Sequence, residues 1–103
     1  MTITLNKKTY PVKATMLAWR KFERATGTKV TEVDASDITL IPELVYYFVQ
    51  EGCRSQGMKF SLGVEEFLGL IEVNDLPQLV EVMQEAMGSN PTEEKKTTAE
   101  ESP

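Results

Sequence analysis

The chain of 103 residues contains no histidine and a single cysteine, Cys53. Without an imidazole there can be no Ser-His-Asp triad, no Cys-His dyad and no histidine-ligated metal. A lone thiol cannot close an internal disulfide, so nothing points to an oxidising compartment. No apolar run approaches the roughly 20 residues that span a bilayer. Met1–Leu5 carries neither the charged nor the apolar region of a signal peptide. Glycine-rich phosphate-loop spacing is also missing, since Gly57, Gly63 and Gly69 each read as loop, helix start or exposed glycine. A cytoplasmic protein with no cofactor and no membrane association is expected.

The remaining composition is that of an ordinary globular domain, 41 % hydrophobic and 26 % charged. Residues 1–88 read as one α+β domain, mainly helical, in the order β-β-α-α-α-α. Residues 89–103 have only Ala99 as a hydrophobic-class residue and are expected to form a disordered polar tail. Ile3 and Leu5 alternate with threonines, as do Tyr10 and Val12 with Thr9 and Lys13, which predicts a hairpin turning at Asn6-Lys7-Lys8. Glycine would sit more comfortably than Lys7 in that turn. Pro11 lacks an N–H and is expected to face outward or lie at an edge. Thr15 is a candidate N-cap and Gly27 a candidate C-terminal stop for a helix over 16–26, with Met16, Trp19 and Phe22 on its core side.

The second helix, over 40–54, has a stripe of Ile41, Leu44, Val45, Phe48 and Val49, with Asp37 or Thr39 as its cap. Gly52 on that face would allow a neighbour to approach closely. Leu40, Tyr46 and Tyr47 widen its apolar arc beyond what one-sided packing needs. Either this is a central helix wrapped by the rest, or a tyrosine lies in an interface, where aromatics are enriched. Ser61 is expected to cap a third helix carrying Val64, Phe67, Leu68 and Ile71. Asp75 with Gln78 would form a capping box for a fourth that ends at Gly88. The methionines Met58, Met83 and Met87 suit a core or an adaptable binding surface.

No acid/base site stands out. Glu65, Glu66, Glu81 and Glu85 fall on solvated faces, and Glu32, Asp34 and Asp37 lack the glycine and distal glutamate of a calcium loop. Cys53 has Arg54 beside it but no CxxC partner, so a semi-buried apolar role is expected. An enzyme is therefore not expected, and no catalytic, cofactor or metal residue is assigned. The formal net charge of −5 is unevenly distributed. Residues 1–31 hold seven basic residues against Glu23 alone, a net +6. Residues 32–88 hold two against eleven acids, a net −9, and the tail adds −2. Lys7, Lys8, Lys13, Arg20, Lys21 and Arg24 form a candidate basic patch, for which a small nucleic-acid-binding regulator is the weaker reading because the acidic majority repels a polyanion. A complementary protein surface, including a second copy, suits the division better. The candidate partner-binding residues are Leu40, Tyr46, Tyr47, Met83 and Met87.

Several segments in order carry a resemblance. They are the hairpin Ile3-Thr4-Leu5-Asn6-Lys7-Lys8-Thr9-Tyr10-Pro11-Val12, the helix Leu17-Ala18-Trp19-Arg20-Lys21-Phe22-Glu23 and the aromatic Leu44-Val45-Tyr46-Tyr47-Phe48-Val49. The acidic Val64-Glu65-Glu66-Phe67-Leu68 and a last amphipathic helix before a charged tail complete the pattern. Residues 1–88 thereby resemble the tail assembly chaperones of long-tailed bacteriophages and prophages, departing at Lys7, where such proteins often have glycine. The resemblance implies a non-enzymatic protein of the bacterial host cytoplasm. Such a protein binds the tape-measure protein, assists tail-tube protein assembly and forms a homo-oligomer. It also implies a polar tail suited to link a frameshifted longer product. A structural tail component retained in the virion is the alternative.

Overall fold

The computed structural model describes residues 1–34 and 36–86, so the expected polar tail and Met87 lie outside the described residues. It has a two-stranded antiparallel hairpin followed by four helices, the α+β, mainly helical order expected from the sequence. Strands β1 (Thr2–Leu5) and β2 (Lys8–Pro11) pair Ile3 with Tyr10 and Thr4 with Thr9. Ile3, Leu5 and Tyr10 are buried on one face, while Thr2, Thr4 and Thr9 are exposed. The turn places both Asn6 (φ 50°) and Lys7 (φ 65°) in the left-handed region, as a two-residue hairpin turn requires. Asparagine tolerates that region; lysine does so at a cost. Pro11 lies on an edge strand, as its missing N–H demands, but its ring is buried.

Helix α1 (Met16–Thr26) is bounded as its sequence dictates. Thr15 Oγ1 accepts from the Ala18 N–H at 3.1 Å, and Gly27 (φ 73°) donates its N–H to the Glu23 carbonyl at 2.9 Å. Its buried line is Ala18 and Phe22; Trp19 is half-buried and Met16 is exposed, contrary to the expected core side. Met16 lies about 200° around the helix from Ala18, so burying Ala18 and Phe22 against α2 turns Met16 outward.

Helix α2 (Leu40–Ser55) is the centre of the domain. The hairpin, α1, α3 (Val64–Leu68) and α4 (Leu76–Ala86) all pack against it. This explains its wide apolar arc, with Ile41, Leu44, Val45, Phe48 and Val49 fully enclosed. The backbone of β2 comes closest at Gly52: a Cβ there would overlap the Pro11 carbonyl oxygen and lie 2.5 Å from its carbon. Just beyond, the Lys13 N–H donates to the Phe48 carbonyl at 3.0 Å.

The second half departs from the expected caps. Gly63, rather than Ser61, precedes α3, and its N–H donates to Glu66 Oε1 at 2.8 Å. The helix stops at Leu68 because the chain tightens into turns, with Leu70 donating to Phe67 and Ile71 to Leu68. Asp75 accepts from the Glu72 N–H at 2.9 Å, within a 3-10 turn over Val73–Asp75 that runs into α4. Gln78 is consequently free for another role. Its amide accepts from the Thr4 N–H and donates to the Thr4 carbonyl, each at 3.0 Å, filling the open edge of β1 as a further strand would.

Candidate interaction surface

Of the residues singled out as partner-binding, the structure brings Tyr46 and Met83 into the core, each about nine-tenths or more buried. The Tyr46 ring packs within 5.0–5.7 Å of the rings of Tyr47, Phe60 and Phe67. Its hydroxyl donates to the Leu62 carbonyl at 2.9 Å. These contacts use both ends of the side chain, leaving nothing of it for a partner. Burial pushes the hydroxyls of Tyr46 and Tyr47 above the ordinary phenol value, with Glu66 and Glu43 respectively adding to the effect. Tyr47 and Leu40 are half-buried and keep part of their surface.

The candidate basic patch divides. Lys7 and Lys8 stand at the hairpin turn, where Lys8 Nζ lies 5.4 Å from the Tyr10 ring centroid. Lys13, Arg20 and Arg24 are exposed before and along α1. Lys21 turns inward, donating to Gln50 Oε1 at 3.2 Å with Glu51 Oε2 3.9 Å away.

Glu51, not singled out from the sequence, is the one buried charged side chain among the described residues, 1 % exposed. Arg54 grips both of its oxygens, and Thr15 donates its hydroxyl to Oε1 at 3.3 Å. The Arg54 hydrogen bonds chiefly, with help from Thr15 and Lys21, hold this carboxyl below its ordinary value. Thr15 and Lys21 reach this α2 carboxylate from the start and body of α1, so it ties α1 to α2, while Arg54 braces it from its own helix. The sequence did contain a signal: Glu51 falls seven residues after Leu44 and three after Phe48, on the apolar stripe.

The other chemical candidates are spent locally. Asp34 Oδ1 accepts from the Ser36 N–H at 2.7 Å, and Asp37 Oδ2 from the Asp34 N–H at 2.9 Å. The Ser36 bonds lower the Asp34 carboxyl. No group of three or more potential ligands converges as a metal site among the described residues. Cys53 is buried, and desolvation pushes its thiol up despite an opposing field from Lys8. No helix of the described residues is long and apolar enough to cross a membrane.

What stands open is apolar surface. A groove of about 310 Å³ runs between the start of α2 and the corner joining α3 to α4. Pro42, Leu68, Ile71 and Leu76 line it, Glu72 borders it, and Ile38 and Val73 stand at its lips, 58 % and 80 % exposed. The sequence reading placed Ile71 on a third helix. The early stop at Leu68 instead moves it to the groove wall. A second apolar feature lies on α1, around Met16, Leu17 and Trp19. No protein-family model, curated protein or solved structure matches the chain.

Proposed function

We propose that the protein is a tail assembly chaperone of a long-tailed phage or prophage. Acting in the host cytoplasm without enzymatic chemistry, it shields apolar helical segments of the tape-measure protein and passes them to the assembling tail tube. The observation that carries this reading is the open groove of Ile38, Pro42, Leu68, Ile71, Val73 and Leu76. A partner helix recognised through an apolar face inserts side chains at one- and two-turn spacing into such a groove.

Covering Ile38 and Val73, 58 % and 80 % exposed, is worth about 2–4 kcal/mol before the entropy of association is subtracted. The resulting hold is weak and reversible, which suits a protein that must release its client. A second copy of the chain is the natural occupant when no client is present, and self-association is part of the proposal.

Co-expression with tape-measure fragments tests it. The wild-type protein should co-purify with a fragment, and Val73→Asp or Ile38→Asp should abolish capture while leaving the fold intact. A monomeric protein that captures no fragment would refute the reading. So would its presence in finished particles at the copy number of a tube subunit, which belongs to a structural component.

A further inference from the structure

The outward face of α1 differs in chemistry from the groove. Met16 is 76 % exposed and Leu17 42 %, although both are large and apolar. With Trp19, Arg20 and Glu23 they border a shallow depression of about 600 Å³. Internal bonds sort the charges around it. Lys21 is occupied by Gln50 and Glu51, and Glu23 Oε2 accepts from the Val30 N–H at 3.0 Å. The two ion pairs among the described residues both belong to Glu51, so Lys13, Arg20 and Arg24 have no acidic partner there. Met16, Arg20 and Arg24 follow one another at four-residue spacing and form a line along the helix, with Leu17 beside its start. The only carboxylate on α1, Glu23, is engaged in a backbone hydrogen bond, whereas Arg20 and Arg24 are in no ion pair among the described residues.

We propose that this face docks an acidic amphipathic helix of another protein. The partner's apolar stripe would cover Met16 and Leu17, and its carboxylates would meet Arg20 and Arg24. Charge complementarity fixes the sign of the occupant. Arg20 and Arg24 on α1, with Lys13 before it, are exposed cations without an ion-pair partner among the described residues, while the chain as a whole is −5. Physiological salt screens charges over about 8 Å, so a single docked helix experiences mainly the local positive field. A long polyanion would extend onto the acidic remainder and be repelled there. The side chains also favour a helix over nucleic acid: flexible methionine and leucine mould to apolar surfaces but offer no plane for base stacking. Trp19, which could stack, is half-buried. This site goes beyond the client groove and does not depend on it.

Trp19 is the only tryptophan in the chain and reports directly on the face. The probe is a synthetic leucine/glutamate amphipathic peptide of about 18 residues, long enough to be helical in water. A leucine/lysine counterpart and a single-stranded DNA oligonucleotide serve as comparisons. The acidic peptide should shift Trp19 emission to the blue, and its affinity should fall roughly tenfold as salt rises from about 0.05 to 0.5 M. The double variant R20E/R24E should bind about tenfold more weakly or worse. M16S/L17S should also lose affinity although its charge is unchanged, and K7E/K8E at the hairpin turn should bind as wild type. All six positions are exposed, so the variants keep the core. Equal binding of the basic peptide, tighter binding of the DNA, or undiminished binding by R20E/R24E would each overturn the proposal. A Trp19 shift that grows with protein concentration and resists competition by the acidic peptide would assign the face to a second copy instead.

Discussion

Replacing Gly52 with alanine should destabilise the protein although it improves the intrinsic helix propensity of α2. The new Cβ would overlap the Pro11 carbonyl oxygen and lie 2.5 Å from the Pro11 carbonyl carbon and 2.8 Å from the Val12 nitrogen. Ordinary contacts begin at 3.4 Å, so β2 and α2 must separate by roughly 0.9 Å or more at this point. Neither side yields easily: the obstacle is backbone, and the adjoining Lys13 N–H to Phe48 carbonyl bond fixes the approach. Overpacking costs about 1–3 kcal/mol, more where backbone must move, while Gly→Ala within a helix returns close to 1 kcal/mol. A net loss of about 1–2 kcal/mol is expected. For a domain of this size that lowers Tm by about 5–15 °C. Urea unfolding followed by circular dichroism and Trp19 fluorescence should show a lower midpoint at an unchanged m-value. Gly69→Ala is the control, because its Cβ meets nothing closer than 3.4 Å. A Gly52→Ala protein as stable as wild type, or more so, would refute the close approach.

Lys7→Gly relieves the left-handed lysine of the hairpin turn (φ 65°) and should raise stability by about 0.5–1 kcal/mol, read as a higher urea midpoint. Glu51→Gln should cost about 1–2 kcal/mol at neutral pH, since the partners Lys21 and Arg54 are partly in water. Because the folded state holds the Glu51 carboxyl below its ordinary 4.5, its contribution is complete above that value and is lost as pH falls through the folded value. The variant's stability should therefore fall less steeply below about pH 4.5 than wild type, and parallel acid limbs would contradict the tie. Tyr46→Phe should lose about 0.5–1.5 kcal/mol in thermal unfolding through the missing bond to the Leu62 carbonyl. The Cys53 thiol should react with an aromatic disulfide reagent roughly a hundredfold more slowly in the folded protein than in urea.

Much of the first half was legible because its signals are local. Thr15 and Gly27 end α1 through bonds that span three or four residues, and Gly52 announced a close neighbour on an apolar stripe. Periodicity could not decide which of two overlapping stripes on α1 is buried. That depends on α2, and Ala18 prevailed over Met16. The width of the α2 arc was visible, but whether Tyr46 served a partner or the core was settled by Phe60 and Phe67, far along the chain. The capping motif of Asp75 and Gln78 was present in spacing and used differently, since the edge of β1 offered Gln78 two backbone partners. The groove was hardest to foresee. It arises from where α3 stops, and turns at Leu70 and Ile71 have no strong sequence mark.

The Gln78 clasp on Thr4 also sets a timetable. Its two ends are 74 residues apart, so at about 5–20 residues per second a nascent chain waits roughly 4–15 s between making the strand and making its clasp. During that interval the hairpin has α2 to pack on, but the Thr4 amide and carbonyl lack their Gln78 partner. The domain therefore closes from its last helix back onto its first strand. A ribosome-bound chain cut short before α4 should retain an exposed strand edge, and completion of α4 is the event that removes it.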